Sequence, residues 1–281
     1  FSYASRETLA KISRIRNDME KMEFWKEKAA QVQGKIRTYL WDETAGACFD
    51  RDKNHRGLRT MTHNNLRAMY WNSFTQQMAD RFVNDHLLNP EEFWTHMPLP
   101  SVAVNDPLFR NVTTNDWSGQ AEALTYQRAI RALENYGYDS LIPELGEKLF
   151  QAIGEDCIFV QQYDPFTAAP SLVCLEGEQD CYGPALLSVL EYAARMYGVH
   201  LEQDTVFWGT VGGYESVYEQ IWGDRSFKLV QSGNGAEGFI NGKKVFEAGP
   251  GIKVITGLDG TVLEVKKMSK DGDVRRLRQK I

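Results

Sequence analysis

Beyond Val199 the spacing of apolar residues changes, and this change limits the fold more than any other feature of the sequence. Up to that point apolar residues return every three or four positions, the period of one helix face. From about Ser5 to Tyr39, Leu9, Ile12, Ile15 and Met19 mark a first helix. After Asp18 a second carries Phe24, Ala29, Val32 and Ile36. Residues 63–88 read as another pair, with Met69, Phe74, Met78, Phe82 and Leu87 on apolar faces. A helix over Ser118–Tyr136 ends at Gly137, which has the role of a C-cap. A return helix spans Leu141–Ile153, and a last one runs from Pro184 to Tyr197 before Gly198. Helices therefore come in consecutive hairpins. Between them, Phe93 to Trp117 is a long Pro- and Asn-rich loop with too much apolar content for disorder, and such loops are usually functional.

After Val199 the apolar residues fall in short runs: Thr205–Trp208, Ser226–Val230, Gly238–Ile240, Lys244–Phe246, Ile252–Ile255 and Val262–Val265. They are cut by Gly233-Asn234-Gly235, Asn241-Gly242, Gly249-Pro250-Gly251 and Asp259-Gly260, of which the Asn-Gly and Asp-Gly turns are hairpin signals. The expected organisation is a helical domain over 1–203 and a small antiparallel β-domain over 204–281, with a polar tail after Met268. Gly233 to Gly238 also matches the dinucleotide fingerprint G-x-G-x-x-G. That site needs a helix after the glycines, whereas strand and hairpin follow here, so turn glycines account for it.

Charge and composition remove several function classes. The net charge is −6 and the one basic run, Asp273 to Arg278, lies at the extreme end, so no nucleic-acid partner is expected. No stretch of about 18 apolar residues is available to span a membrane. The four cysteines show no metal-ligand spacing; Cys174 and Cys181 are close enough for a loop disulfide, and buried free thiols are the alternative. The histidines His63, His86, His96 and His200 form no ligand pattern, so no metal or other cofactor is expected. Asp106 and Asp116, each beside an asparagine, have the oxygen chemistry for Ca²⁺, but turn-forming is the commoner use. Asp42 and Glu43 read as a solvated turn or a structural ion pair, and Glu191 as an ion-pair partner. The sequon Asn111-Val112-Thr113 leans toward secretion. Aromatic residues make up 12% of the chain, which suits either a large core or a sugar cleft.

Four motifs in order give the chain a resemblance. Leu40-Trp41-Asp42-Glu43 is followed by Gly46 and Phe49-Asp50. Pro98-Leu99-Pro100-Ser101 precedes Asn115-Asp116-Trp117-Ser118-Gly119. Next comes Gln161-Gln162-Tyr163-Asp164-Pro165-Phe166-Thr167, and then Tyr182-Gly183-Pro184 leads into the last helix. Over roughly residues 5–200 this series resembles the (α/α)₆-toroid glycoside hydrolases of family 63, the trehalases and the mannosylglycerate hydrolases. The resemblance implies a mainly α fold: a partial (α/α)₆ toroid of helical hairpins, followed by the antiparallel β-domain. It implies inverting hydrolysis of an O-glycosidic bond to glucose or mannose, with carbohydrate as the partner. Two carboxyl groups do this work, one protonating the leaving oxygen and one activating water.

The base of the resembled enzymes is the Glu of a Glu-x-Tyr-Asn/Asp-Pro motif, and the matching residue here is Gln161. An amide can orient water but cannot take its proton. Three readings follow. Another carboxylate serves as base, with Asp164, Asp116 and Glu122 as candidates; or the chain is a catalytically degenerate carbohydrate-binding relative; or Gln161 replaces an original glutamate. A six-hairpin lyase or epimerase is a further alternative. Trp117, Gly119, Gln120, Tyr163, Tyr182 and Trp71 are the expected substrate-binding residues. By motif order the general acid belongs before Phe1, in an N-terminal part of the same protein.

Overall fold

In the computed structural model the residues described are 1–114, 117–154, 157–175, 177–209 and 214–268. Among them are seven α-helices and four antiparallel sheets. The chain divides into two compact units, Phe1–Tyr136 with Gln162–Asp180, and Gly137–Gln161 with Cys181–Ile281.

In the first unit, α1 (Ser2–Ile15) packs on α2 (Met19–Lys35). Asp18 starts α2 because its carboxylate accepts the Lys21 N–H at 3.1 Å, satisfying a first-turn donor that has no partner within the helix. The hydrophobic pattern of α1 does not set its buried face: Ala4, Ala10 and Ser13 are buried, while Ile15 is 81% exposed. Small residues allow close approach to α2, and no described element covers the larger ones. A hairpin of β1 (Trp41–Asp42) and β2 (Ala47–Cys48) follows, with Gly46 at φ 70° in its turn. Asp42 accepts the Ala45 N–H at 2.9 Å and pairs with Arg59 at 2.5 Å, and Glu43 pairs with Arg81, so both acids of this motif are structural.

Next come α3 (Asn65–Tyr70) and α4 (Gln76–Phe82), the latter capped by Thr75 Oγ1 accepting the Met78 N–H at 3.2 Å. Met69, Phe74, Met78, Phe82 and Leu87, the apolar face expected from the spacing, are all buried. The two-residue strand β3 (Ala121–Glu122) leads straight into α5 (Ala123–Asn135), which packs on α3. Gly137, at φ 80°, follows the end of α5. The strand β4 (Gln162–Tyr163) pairs antiparallel with β3.

In the second unit α6 (Leu141–Ile153) packs on α7 (Ala185–Met196). Gly146 permits this contact, since a Cβ there would lie 2.4 Å from Met196 Sδ. Eight strands complete the unit: β5 (Val199–Glu202), β6 (Thr205–Trp208), β7 (Ser216–Trp222), β8 (Arg225–Ser232), β9 (Gly235–Ile240), β10 (Lys243–Ala248), β11 (Ile252–Gly257) and β12 (Val262–Lys267). They form two four-stranded antiparallel sheets, in the orders β5-β6-β11-β12 and β7-β8-β9-β10. Val206, Trp208 and Val254 of one sheet share a core with Phe227, Leu229 and Phe246 of the other. The indole N–H of Trp208 donates to Thr256 Oγ1 at 3.0 Å, which satisfies the one polar atom this ring brings inside. Six strands coincide with the runs read from the sequence; β5 and β7 are additional. The G-x-G-x-x-G segment is the β8–β9 hairpin.

All four cysteines are free, and Cys157, Cys174 and Cys181 are exposed, which corrects both the loop-disulfide and the buried-thiol expectations. Among the described residues no helix is long and apolar enough to cross a membrane.

Candidate active site

Two of the quoted motifs meet within the first unit. Ser101 donates its N–H to the Gln120 carbonyl at 3.1 Å and its hydroxyl to the Trp117 carbonyl at 2.9 Å. Pro100 bridges Ala121, and the Met97 N–H reaches the Pro165 carbonyl at 2.9 Å. Tyr126 of α5 ties the loop from below, donating its hydroxyl to the Pro98 carbonyl at 2.8 Å. The Pro-Leu-Pro-Ser loop is thus clamped between β3, α5 and the Tyr-Asp-Pro turn. Gly119 fits only without a side chain, because a Cβ would stand 2.0 Å from the Arg110 carbonyl oxygen.

Glu122 stands on β3 directly across the ladder from Gln162 on β4, so the two side chains lie on one face of the pair. Both are buried. The Glu122 carboxylate accepts the Thr125 hydroxyl at 2.9 Å and pairs with Arg128 at 3.5 Å. Arg67 of α3 lies within the field of Glu122 and Arg128. Burial, with Arg128 adding to it, lowers the pKa of Arg67, and Glu122 opposes the shift. Around this carboxylate several buried polar atoms have no hydrogen-bond partner: Nδ1 of His63, Nε of Arg67, and both ends of the Gln162 amide. Unmatched buried groups of this kind cost free energy, and these four are half of the eight such atoms among the described residues.

His63 is held neutral. Burial lowers its pKa to about 3, helped by the positive charges of Arg67 and Arg128 and opposed by a bond to the Leu99 backbone. The sign follows from linkage: a depressed folded pKa gives stability that is fully present above the unfolded value near 6.5 and is lost as pH falls toward 3. Replacing His63 by Asn is therefore expected to flatten the stability loss between about pH 6.5 and 3. Denaturant titrations of both proteins across that window measure it; an unchanged slope would place the acid sensitivity elsewhere.

The remaining expected site residues divide. The carboxylate of Asp164 is occupied by the turn it builds: Oδ1 accepts the N–H groups of Phe166 and Thr167 at 2.8 and 2.9 Å, and Oδ2 accepts from Asn111 Nδ2 at 2.5 Å. Burial raises its pKa, but the Asn111, Thr167 and Phe166 hydrogen bonds outweigh it, and the net shift is downward. The same contact engages the amide nitrogen that the sequon would glycosylate. Asp116 lies outside the described residues. Trp117 is half exposed, whereas Gln120 and Tyr163 are buried. Trp71 lines a cavity of about 270 Å³ in the first unit, with Asn64, Asn65, Arg67, Phe49 and Asp50. Gln161, half-buried, and Tyr182 belong to the second unit, where the Tyr182 N–H reaches the Phe159 carbonyl at 2.7 Å. Asp106 is a turn former, its carboxylate accepting the Met61 and Leu108 N–H groups at 2.8 Å. Glu191 pairs with Arg195.

The sequence reading missed His63, Arg67 and Arg128. Arg67 of α3 and Trp71, the residue that ends this helix, stand four residues apart, a spacing that gives them a common face and a signal that was available.

Comparison with solved structures finds the same architecture elsewhere. A protein titled sialidase superposes with a TM-score of 0.74 at 13% identity, over 90% of this chain and 26% of its own. The family 63 mannosylglycerate hydrolase from Thermus thermophilus, in complex with glucose, gives 0.54 at 17% identity, over 68% and 45%. The neutral trehalase from Saccharomyces cerevisiae gives 0.54 at 21%, over 68% and 36%. At these identities the likeness concerns fold, and the chain spans less than half of each of these structures. No curated protein matches it by sequence. Residues 1–181, however, match one glycoside hydrolase family. The chain belongs to the family described as the mannosylglycerate hydrolase MGH1-like glycoside hydrolase domain.

Proposed function

We propose that the chain forms part of an (α/α)₆-toroid glycosidase that cleaves an O-glycosidic bond of a glucoside or mannoside with inversion, and that Glu122 is its water-activating base. The observation that carries this is the placement of Glu122: a buried carboxylate across the β3–β4 ladder from Gln162, the residue next to Gln161. Asp164 is a poorer base, since its proton affinity is already lowered by three hydrogen bonds. Arg128 and Thr125 fix the Glu122 carboxylate, and the unpartnered amide of Gln162 offers both a donor and an acceptor to a sugar hydroxyl or a water. Trp71 and Arg67, lining the adjoining cavity of about 270 Å³, supply an aromatic face and a hydrogen-bonding edge for a pyranose. The boundary near residue 203 separates this catalytic part from the β-domain in the same reading.

Proton NMR of a glycoside digest by the longest natural chain carrying this sequence tests it. The first product anomer is expected to have the configuration opposite to the substrate, as water attack from the far face requires. A retained anomer excludes the single-displacement reading, and an unsaturated sugar marks a lyase. The amide at Gln161 favours one second reading, a degenerate carbohydrate-binding relative; sugar binding in calorimetry with a broad glycoside panel left intact would establish that instead.

A further inference from the structure

The edge strand β7 turns Val217, Glu219 and Ile221 to one face and Tyr218, Gln220 and Trp222 to the other, by the period of two. The second set lines an open groove of about 640 Å³. Leu190 and Glu191 of α7 and His200 and Gln203 of the β5–β6 hairpin complete its walls. We infer that this groove is an accessory binding site for a short, uncharged oligosaccharide. The inference rests on the glycosidase reading for its choice of ligand class, but the site is a different one, built wholly from the second unit.

The lining itself selects the ligand. Glu191, the acidic group of the groove, already pairs with Arg195 and faces His200 at 4.0 Å, so its charge is matched within the protein and a charged ligand gains little. What is left to meet a ligand is neutral. Gln220 accepts the Tyr218 hydroxyl at 3.1 Å through its oxygen, and the donor end of its amide is the NH₂. Gln203 stands exposed at a left-handed turn position with φ 55°. The Trp222 ring is 52% exposed and carries one N–H donor on an otherwise apolar surface. An aromatic-amide-aromatic ladder beside an aliphatic wall matches a pyranose, which has an apolar C–H face and a rim of hydroxyls. The cavity is within the usual range for small-molecule sites. The run from Tyr218 to Trp222 extends roughly 13 Å at about 3.3 Å per residue, the length of a short oligosaccharide.

The test uses maltotriose, cellotriose and mannotriose titrated into the unmodified protein. The readout is the indole N–H resonance that Trp222→Phe identifies. At least one trisaccharide is expected to move it saturably with a Kd on the order of 1 mM. Trp222→Ala should weaken binding about tenfold or more, and Gln220→Ala should weaken it by a smaller factor. A resonance that no trisaccharide moves overturns the proposal. So does a dimer in sedimentation that Leu187→Ser with Leu190→Ser dissolves, because the groove would then seat a second copy. Product release from a glycoside by the longest natural chain carrying this sequence is measured in parallel. Hydrolysis with a silent Trp222 resonance rejects the groove alone, and a moving resonance without hydrolysis rejects the glycosidase reading alone.

Discussion

Glu122→Gln is expected to lower glycoside hydrolysis about 10²- to 10⁴-fold, the range that a positioned general base supplies. The amide keeps the size of the side chain and can still accept the Thr125 hydroxyl, so the loss should lie in kcat more than in KM. Removing the charge leaves Arg128 and Arg67 with less compensation, and some loss of stability accompanies the change. Rates are therefore compared per folded molecule. Placing Gln161→Glu in this background sharpens the test, because it restores a carboxylate at the position that the family motif gives to the base. The double variant is expected to recover roughly tenfold or more of the lost rate. Full activity in folded Glu122→Gln would reduce Glu122 to a structural ion-pair partner. Failure of Gln161→Glu to recover any rate would mean that position 161 no longer faces the reacting water.

The largest stability effect is expected in the second unit. Asp139, just before α6, pairs with Lys253 of β11 at 2.5 Å, and both side chains are largely buried. Lys253 Nζ also lies over the Phe207 ring, 5.8 Å from its centre. Asp139→Ala leaves the ammonium buried without this partner, at a cost of about 3–5 kcal/mol. At about 2–4 °C per kcal/mol this lowers Tm by on the order of 10 °C for the unit concerned. With two compact units, a single transition is not assumed; fluorescence of Trp208, in the core between the sheets, follows the second one. Combining Asp139→Ala with Lys253→Met removes the stranded charge and is expected to recover most of the loss. A melting point unchanged by Asp139→Ala would show that water already reaches the ammonium.

Local patterns carried much of the fold. α6 runs over Leu141–Ile153, as its spacing and flanking residues indicate, and the Asn-Gly and Asp-Gly turns mark the hairpins of β8 to β12. α1 shows the limit of the same reasoning. Its apolar stripe of Leu9, Ile12 and Ile15 is visible in the sequence, but burial depends on what packs against a face, and here the alanines are inside. The strand β7 escaped because its exposed Val217 and Ile221 weaken the contrast between its two faces.

The site divides in the same way. By itself the sequence determined the helix-to-strand transition, the hairpin turns, the motif series that resembles the family, and the amide at the position where the resembled enzymes carry a glutamate. These are properties of neighbouring residues, set by helix and strand periods and by turn chemistry. Only the tertiary structure told the candidate acids apart. Asp164 and Glu122 look alike as candidates in the sequence, yet one is consumed by its own turn while the other lies across a strand pair beside two arginines contributed by separate helices. The turn donors to Asp164 are its neighbours in the chain, but Asn111 reaches it from 53 residues away and Arg67 comes near Glu122 from another helix, and contacts between distant segments exist only once the chain is folded.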